Sequence, residues 1–531
     1  MVHAWEVTPD LGATWLVTPT LPVPVLSGER IASSSAEIRL AEARLAFRHA
    51  TDPRLEGAAE ALQQLQQQLS LPEPNRQLRL TQAAAALALA TPEHADGLWQ
   101  RLHRQTDTRR LIEQQLIRWQ RPQGVAEWRK RLVDPTAPWL DLRLAIEGIG
   151  ALGEAQDQAA LEQLLRSDRL PTALHVVIAG SLGQLVDQGL EQLAADVLAS
   201  GVEQTDLLAA RLLAGHASDR ARDMLLALLQ SPHLPAQVAA YTALSEHHHQ
   251  SAWEVAEEML QRPDNNLRHL ALSVLQRAED SQSLRLQGTA LYDANANVRN
   301  TAREHLLHKA ASPALRRVVD TIISEAFASN HLPANQQAIY LSVALEDESR
   351  CRDLLPLLDS TDLDTSLIAG WGLQQLATSN DTLDSMLEFA QGVTQRLEQE
   401  QRVQFLEILR QSFLFEAFGK NRYQAAVPML RIYVPKNGHK MGDVARASAI
   451  WALGTTLQSS RDEPLARQLA QRMLDESISD PEDELVQFTS ALALGWLGVP
   501  GSVGDLRRVV AEPPAPLGLA RNWSLEQLDQ P

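Results

Sequence analysis

One cysteine, Cys351, among 531 residues leaves no internal disulfide and no thiolate cage for a metal. Aromatic residues are scarce at 5%, and runs rich in Val, Ile and Thr are rarer still, which argues against a β-rich core. Positive charge is also short. Lys and Arg total 48 against 66 Asp and Glu, a net −18, so a body that tracks nucleic acid along its whole length is excluded. The sequence has no long uninterrupted apolar run. The stretch from Leu11 to Leu26 is broken by Pro19, Pro22 and Pro24, and no early Lys or Arg precedes it, so neither a signal peptide nor a membrane span is expected. G-x-S-x-G, Walker A, H-E-x-x-H and C-x-x-C patterns are all missing, and Cys351 has no base beside it in sequence. These absences point to a protein of a reducing compartment, soluble and cytoplasmic, with no assignable catalytic set, cofactor or metal. An enzyme site assembled from separate repeats would leave no local motif, so that class stays open.

What the chain has instead is alanine, leucine and glutamine, all good helix formers. Leu152, Leu182, Leu213, Leu244, Leu275 and Leu306 recur 30, 31, 31, 31 and 31 residues apart. The clearest pair of units is nearly a copy: Asp264, Asn266, Leu267, Arg268, Ala271 and Leu275 return as Asn295, Asn297, Val298, Arg299, Ala302 and Leu306. A unit of this length holds one helix pair, too thin to bury its own apolar face, and it becomes stable when neighbours stack on it. Asp or Asn a few places before Arg is suited to capping a helix and meeting a neighbouring guanidinium, giving Asp141, Asp264, Asn295, Arg143, Arg268 and Arg299 structural roles.

The pattern Asp, Leu/Val-Arg, small residues, Leu-Gly resembles the short HEAT-like repeat of the kind found in phycobilisome bilin lyases. It is carried by Asp141-Leu142-Arg143 to Leu152-Gly153, Asn297-Val298-Arg299 to Leu306, Asp443-Val444 and Arg446 to Leu453-Gly454, and more weakly Leu485 to Leu494-Gly495. The resemblance covers about two thirds of the chain. It implies an all-α fold, a right-handed α-solenoid of HEAT-like helical hairpins, and a role as a binding scaffold.

Proline and the repeat register divide the chain as follows: an extended N-terminal arm over 1–33; irregular helical repeats over 34–135, opened by a capping box at Ser34 and Glu37; regular repeats over 136–310; irregular repeats with a basic aromatic insertion over 311–442; further HEAT-like repeats over 443–512; and a tail over 513–531. In that tail Pro513, Pro514 and Pro516 are expected to stop any helix, leaving a strap anchored by Trp523.

Two stretches reverse the acidic trend. Residues 101–131 hold nine Lys or Arg against three acids, and 401–440 hold seven against two. Arginine with aromatic side chains is what interface hot spots use, so each is a candidate partner-binding patch. The candidate in the 401–440 stretch comprises Phe413, Phe415, Phe418, Lys420, Arg422, Tyr423, Arg431, Tyr433, Lys436 and Lys440. The candidate around 101–131 comprises Trp99, Arg109, Arg110, Arg118, Trp119, Trp128, Arg129 and Lys130. A protein partner fits an acidic scaffold with such islands. A bilin-like anionic cofactor in a basic groove, as the lyase resemblance implies, and nucleic acid held between both islands, as in HEAT-like DNA glycosylases, are the alternatives. Two further features read as structural. Gly148, Gly150 and Gly153 form a literal G-x-G-x-x-G, but at the end of a helix, where it serves packing rather than a nucleotide. His247, His248 and His249 follow one another and so point apart, which favours a solvated turn over an ion site.

Overall fold

The computed structural model describes residues 83–84, 87, 90–104, 106–200, 204–399, 405–436, 441–511 and 515–529. The arm expected over 1–33 and the capping box at Ser34 and Glu37 lie outside them. Among the described residues every regular element is a helix. None is long and apolar enough to cross a membrane. These residues fall into two compact units that divide between Arg277 and Ala278.

In the unit ending at Arg277, helices pair as hairpins whose second members form a ladder: α1 (Thr106–Arg118), α2 (Trp139–Leu152), α3 (Thr172–Leu185), α4 (Thr205–Leu212), α5 (Leu234–His247) and α6 (Asn265–Gln276). Each packs on the next, while the first helix of each hairpin packs chiefly on its own partner. The same arrangement runs through the unit beginning at Ala278, with α7 (Ala296–Lys309), α8 (Leu332–Ala344), α9 (Leu363–Leu376), α10 (Phe405–Lys420), α11 (Asp443–Thr456), α12 (Glu484–Leu497) and α13 (Pro516–Leu528) in contact in that order. The fold is therefore an all-α stack of HEAT-like hairpins, in which burial of each apolar stripe depends on the neighbouring rungs.

Of the periodic leucines, Leu182, Leu213, Leu244, Leu275 and Leu306 are fully buried in ladder helices or directly after one. Leu152 is only half-buried. Its place is taken by Ile149, which is fully buried at the position of α2 that matches Leu182 in α3. The interval of 30 in the leucine series was the sign of that slip. Where rungs come closest, side chains disappear: a Cβ on Gly183 would stand 2.2 Å from the Arg211 carbonyl oxygen, and one on Gly215 would stand 2.4 Å from that of Gly183. The G-x-G-x-x-G has the same cause, because Gly148 lies under the Trp128 ring and Gly150 against Ser181.

The near-copy in sequence is a near-copy in structure. Asp264 accepts hydrogen bonds from the amides of Asn266 at 2.9 Å and Leu267 at 3.1 Å, and Asn295 accepts from Asn297 at 2.9 Å and Val298 at 3.3 Å. Arg268 folds back on the carbonyls of Arg262 and Pro263, and Arg299 on those of Asp293 and Ala294. These arginines thus clamp the turn of their own unit. Asp141 does meet guanidinia of the preceding hairpin, but Arg143 pairs with Glu147 on its own helix. Asp264→Ala removes the acceptor for two orphan amides and is expected to destabilise the first unit by about 1 kcal/mol, read as a shift in chemical unfolding.

The tail departs from expectation. Pro516 sits in the first turn of α13, where its missing N–H is no loss, so proline opens a helix here rather than preventing one. Trp523 then packs edge-on against Trp496 with ring centroids 5.5 Å apart.

Candidate binding face

The first basic island holds consecutive hairpins together. Arg109 and Arg110 of α1 both bind the buried carboxylate of Asp141 in α2, at 2.8 and 2.5 Å. Burial alone would raise the Asp141 carboxyl, but the hydrogen bonds and charges of Arg110 and Arg109 outweigh it and hold it below the usual range. Arg129 reaches Asp157 at 2.8 Å and Glu154 at 3.1 Å in the following hairpin, and Arg131 grips the fully buried Glu113 with two bonds of 2.9 and 2.6 Å. Trp128 is core, Trp99 is half-buried and stacked on His103, and Trp119 is half-buried. Lys130 is exposed and paired with Glu127, and Arg118 is exposed. Of this candidate patch, Trp128 is withdrawn into the core and Arg109, Arg110 and Arg129 are engaged by carboxylates, while Arg118 and Lys130 face solvent.

The second island corrects in the same way. Phe413, Phe415, Phe418 and Tyr433 are fully buried and Tyr423 nearly so. The hairpin that carries them is the longest among the described residues, with α10 packed against a helix spanning Asn380–Gln399, and its wider interior needs large rings. Phe415 meets Tyr433 edge-on at 4.7 Å, and the Tyr433 and Thr394 hydroxyls are 2.8 Å apart. Lys420 donates to the Gln374 carbonyl at 2.9 Å, and Arg422 donates to Gln458 at 2.9 Å. Arg431 is bound to Asp462, and Lys436 lies 3.4 Å from Asp475 and 3.2 Å from Asp480. Lys440 lies outside the described residues.

A different surface is open. Trp139, the first residue of α2, is 62% exposed. Beside it Arg143, Pro171, Ala173, Leu174 and Val177 line a shallow dish of about 370 Å³. Positions 173, 177, 180 and 184 share one stripe of α3, and that stripe leads from the dish into a groove of about 780 Å³ bounded by α3 and α5. The groove exists because α4 has 8 residues where α3 and α5 have 14 each. Its floor is small: Ala210, Ala214 and Gly215. One edge is apolar, with Leu207, Pro235, Val238 and the 41% exposed Leu234. The other edge carries Gln184, Asp187, Glu246 and His247, and Arg211 lies between the two edges.

The three histidines diverge. His247 lines the groove, His248 donates to the His216 carbonyl at 2.9 Å, and His249 takes a hydrogen bond from Arg277 at 2.8 Å. Among the described residues no three His, Cys, Asp or Glu gather as ion ligands. Burial pushes the Cys351 thiol up to about 12, so it is no ready nucleophile.

Sequence periodicity missed Trp139 because position 139 lies on two stripes of α2. It continues the buried series Leu142, Ile146, Ile149 and equally the polar series of exposed Arg143 and half-buried Glu147. The one available signal was Pro138, which starts the helix at Trp139 and so leaves no preceding turn to cover the ring.

No protein-family model matches this chain, and no curated protein does. Among solved structures it is similar to Kap95p in a complex with RanGDP, at 14% identity and a TM-score of 0.48 over 94% of this chain and 71% of that one. Yeast importin-beta (Kap95p) gives 13% and 0.41 over the same shares. An engineered protein gives 15% and 0.32 over 70% of this chain and 98% of its own. At these scores the likeness carries no conclusion about what this chain binds.

Proposed function

We propose that the chain is a protein-binding scaffold whose receiving surface is the ladder face of α2 to α5. The observation that carries this reading is Trp139, a large ring left in solvent beside a preformed groove. Scaffold surfaces of this kind need little ordering on binding, which favours affinity without extensive area. A tryptophan flanked by an arginine and small apolar residues is the composition of a contact hot spot. The bilin and nucleic-acid alternatives relied on free cations in the two islands. Arg109, Arg110, Arg129, Arg131, Arg431 and Lys436 are held by carboxylates, which weakens both.

The test is affinity capture from the source cell with wild type and a Trp139→Asp, Leu234→Asp double variant. Both side chains are exposed, so unfolding should move by no more than about 0.5 kcal/mol per site. Loss of specific captured proteins with unchanged unfolding is the expected result. Retention of every captured protein at wild-type yield would move the receiving surface elsewhere.

A further inference from the structure

The groove between α3 and α5 has a polarity of its own. Its apolar edge is built from the first turns of α4 and α5, at Leu207, Leu234, Pro235 and Val238. Its polar edge gathers the last turns of α3 and α5 with the residues just beyond, at Gln184, Asp187, Glu246 and His247. Helix C-termini present partial negative charge, and here two exposed carboxylates add to it. Acids elsewhere in this unit hold Arg109, Arg129, Arg131 and Arg262, whereas Asp187 and Glu246 make no ion pair among the described residues. Arg211 on the floor is likewise free, its aliphatic stem running past Gly180. A guanidinium with five N–H donors in that position suits the unpaired carbonyls of an extended backbone.

We infer that the groove binds an extended polypeptide segment carrying apolar side chains on one side and Lys or Arg on the other. This deepens the scaffold reading and rests on it. The apolar side chains lie along Leu234, Pro235 and Val238, the cations reach Asp187 and Glu246, and Arg211 takes backbone carbonyls between them. Two helix spacings of about 9 Å separate α3 from α5, so about six extended residues cross the groove. An acidic or wholly polar segment does not fit, because it would set like charges together or leave the apolar edge wet.

Fluorescent peptides built from Pro-Leu-Lys triplets are the probe, since proline holds them extended. Pro-Leu-Glu and Pro-Ser-Lys peptides serve as comparisons, read by anisotropy against the full chain. Pro-Leu-Lys should bind about tenfold or more tightly than either, and Asp187→Lys with Glu246→Lys should abolish that preference. A control with the same net charge, Glu257→Lys with Glu476→Lys, alters exposed acids outside the groove and should retain it. Equal binding of Pro-Leu-Glu, no effect of the groove reversal, or an equal loss in the control would each overturn the inference. Should no peptide bind while Trp139-dependent capture persists, the inference fails and the scaffold reading stands. Should the peptide pattern hold while capture ignores Trp139 and Leu234, the scaffold reading fails instead.

Discussion

Exchanging Arg446 for methionine is expected to lower the stability of the second unit by about 3–5 kcal/mol, because it strands a buried carboxylate. Arg446 of α11 is fully buried and grips Glu482, itself nearly inaccessible, through bonds of 2.7 and 2.9 Å. It also donates to the carbonyls of Tyr433 and Val434, so one guanidinium joins α11, the preceding turn and the entry to α12. Arg472 adds a third contact to Glu482 at 3.2 Å. Burial would raise the Glu482 carboxyl, but the Arg446 hydrogen bonds and charge overcome it and hold it below its usual value. The stabilisation is therefore present above the ordinary carboxylate range and is lost as pH falls through the depressed value. Removing both ends together, as Arg446→Met with Glu482→Leu, leaves no stranded charge and should cost distinctly less than Arg446→Met alone. Hydrogen exchange over α11 and α12 is the appropriate measurement, because a repeat array can open locally without unfolding as a whole. A double variant at least as destabilised as the single would show that the ion pair itself, and not the stranded carboxylate, sets the cost.

That interaction also shows how far the sequence could be read. The ladder was legible wherever one side chain repeats at one depth, as in Leu182, Leu213, Leu244, Leu275 and Leu306, because close packing admits a single solution at each rung. It failed at Leu152, where the unit is longer and Ile149 takes the buried place. Proline misled in the tail, since the same residue ends one helix and opens another. Local charge misled more seriously. Arg109, Arg110, Arg129 and Arg431 look unbalanced within their own stretch, yet the carboxylates that accept their hydrogen bonds are 25 to 32 residues away, on the neighbouring hairpin. In a stacked repeat the electrostatic neighbour is one period off, so net charge over a short window mistakes an internal clamp for an external patch. The groove was illegible for the opposite reason. It is created by missing length in α4, and a periodic signal records what recurs rather than what is cut short.

Glu416 is expected to give the second unit a stability that falls as pH rises. It is fully buried in α10, takes hydrogen bonds from Gln374 of α9 and from Ser448 of α11, and has Lys420 one turn away. Burial raises its carboxyl from 4.5 to about 8, the two hydrogen bonds and Lys420 only partly opposing this. Between those values the folded chain keeps a proton that the unfolded chain releases, so stability declines by up to roughly 1.4 kcal/mol per pH unit across the window. The decline levels off once both states are ionised. Lys420, whose own pKa is lowered by burial, introduces an opposing slope on the alkaline side, and a difference between variants cancels most of it. Glu416→Gln keeps the shape of the protonated acid and has no proton to lose. Near pH 5 it should match wild type, and near pH 9 it should exceed it by several kcal/mol, roughly 3–5 from the size of the shift. Urea unfolding of both proteins across that range decides the matter. Parallel stability curves would mean that the carboxyl at the α9–α10–α11 junction is ionised in the folded chain at neutral pH, with Lys420 or water compensating its burial.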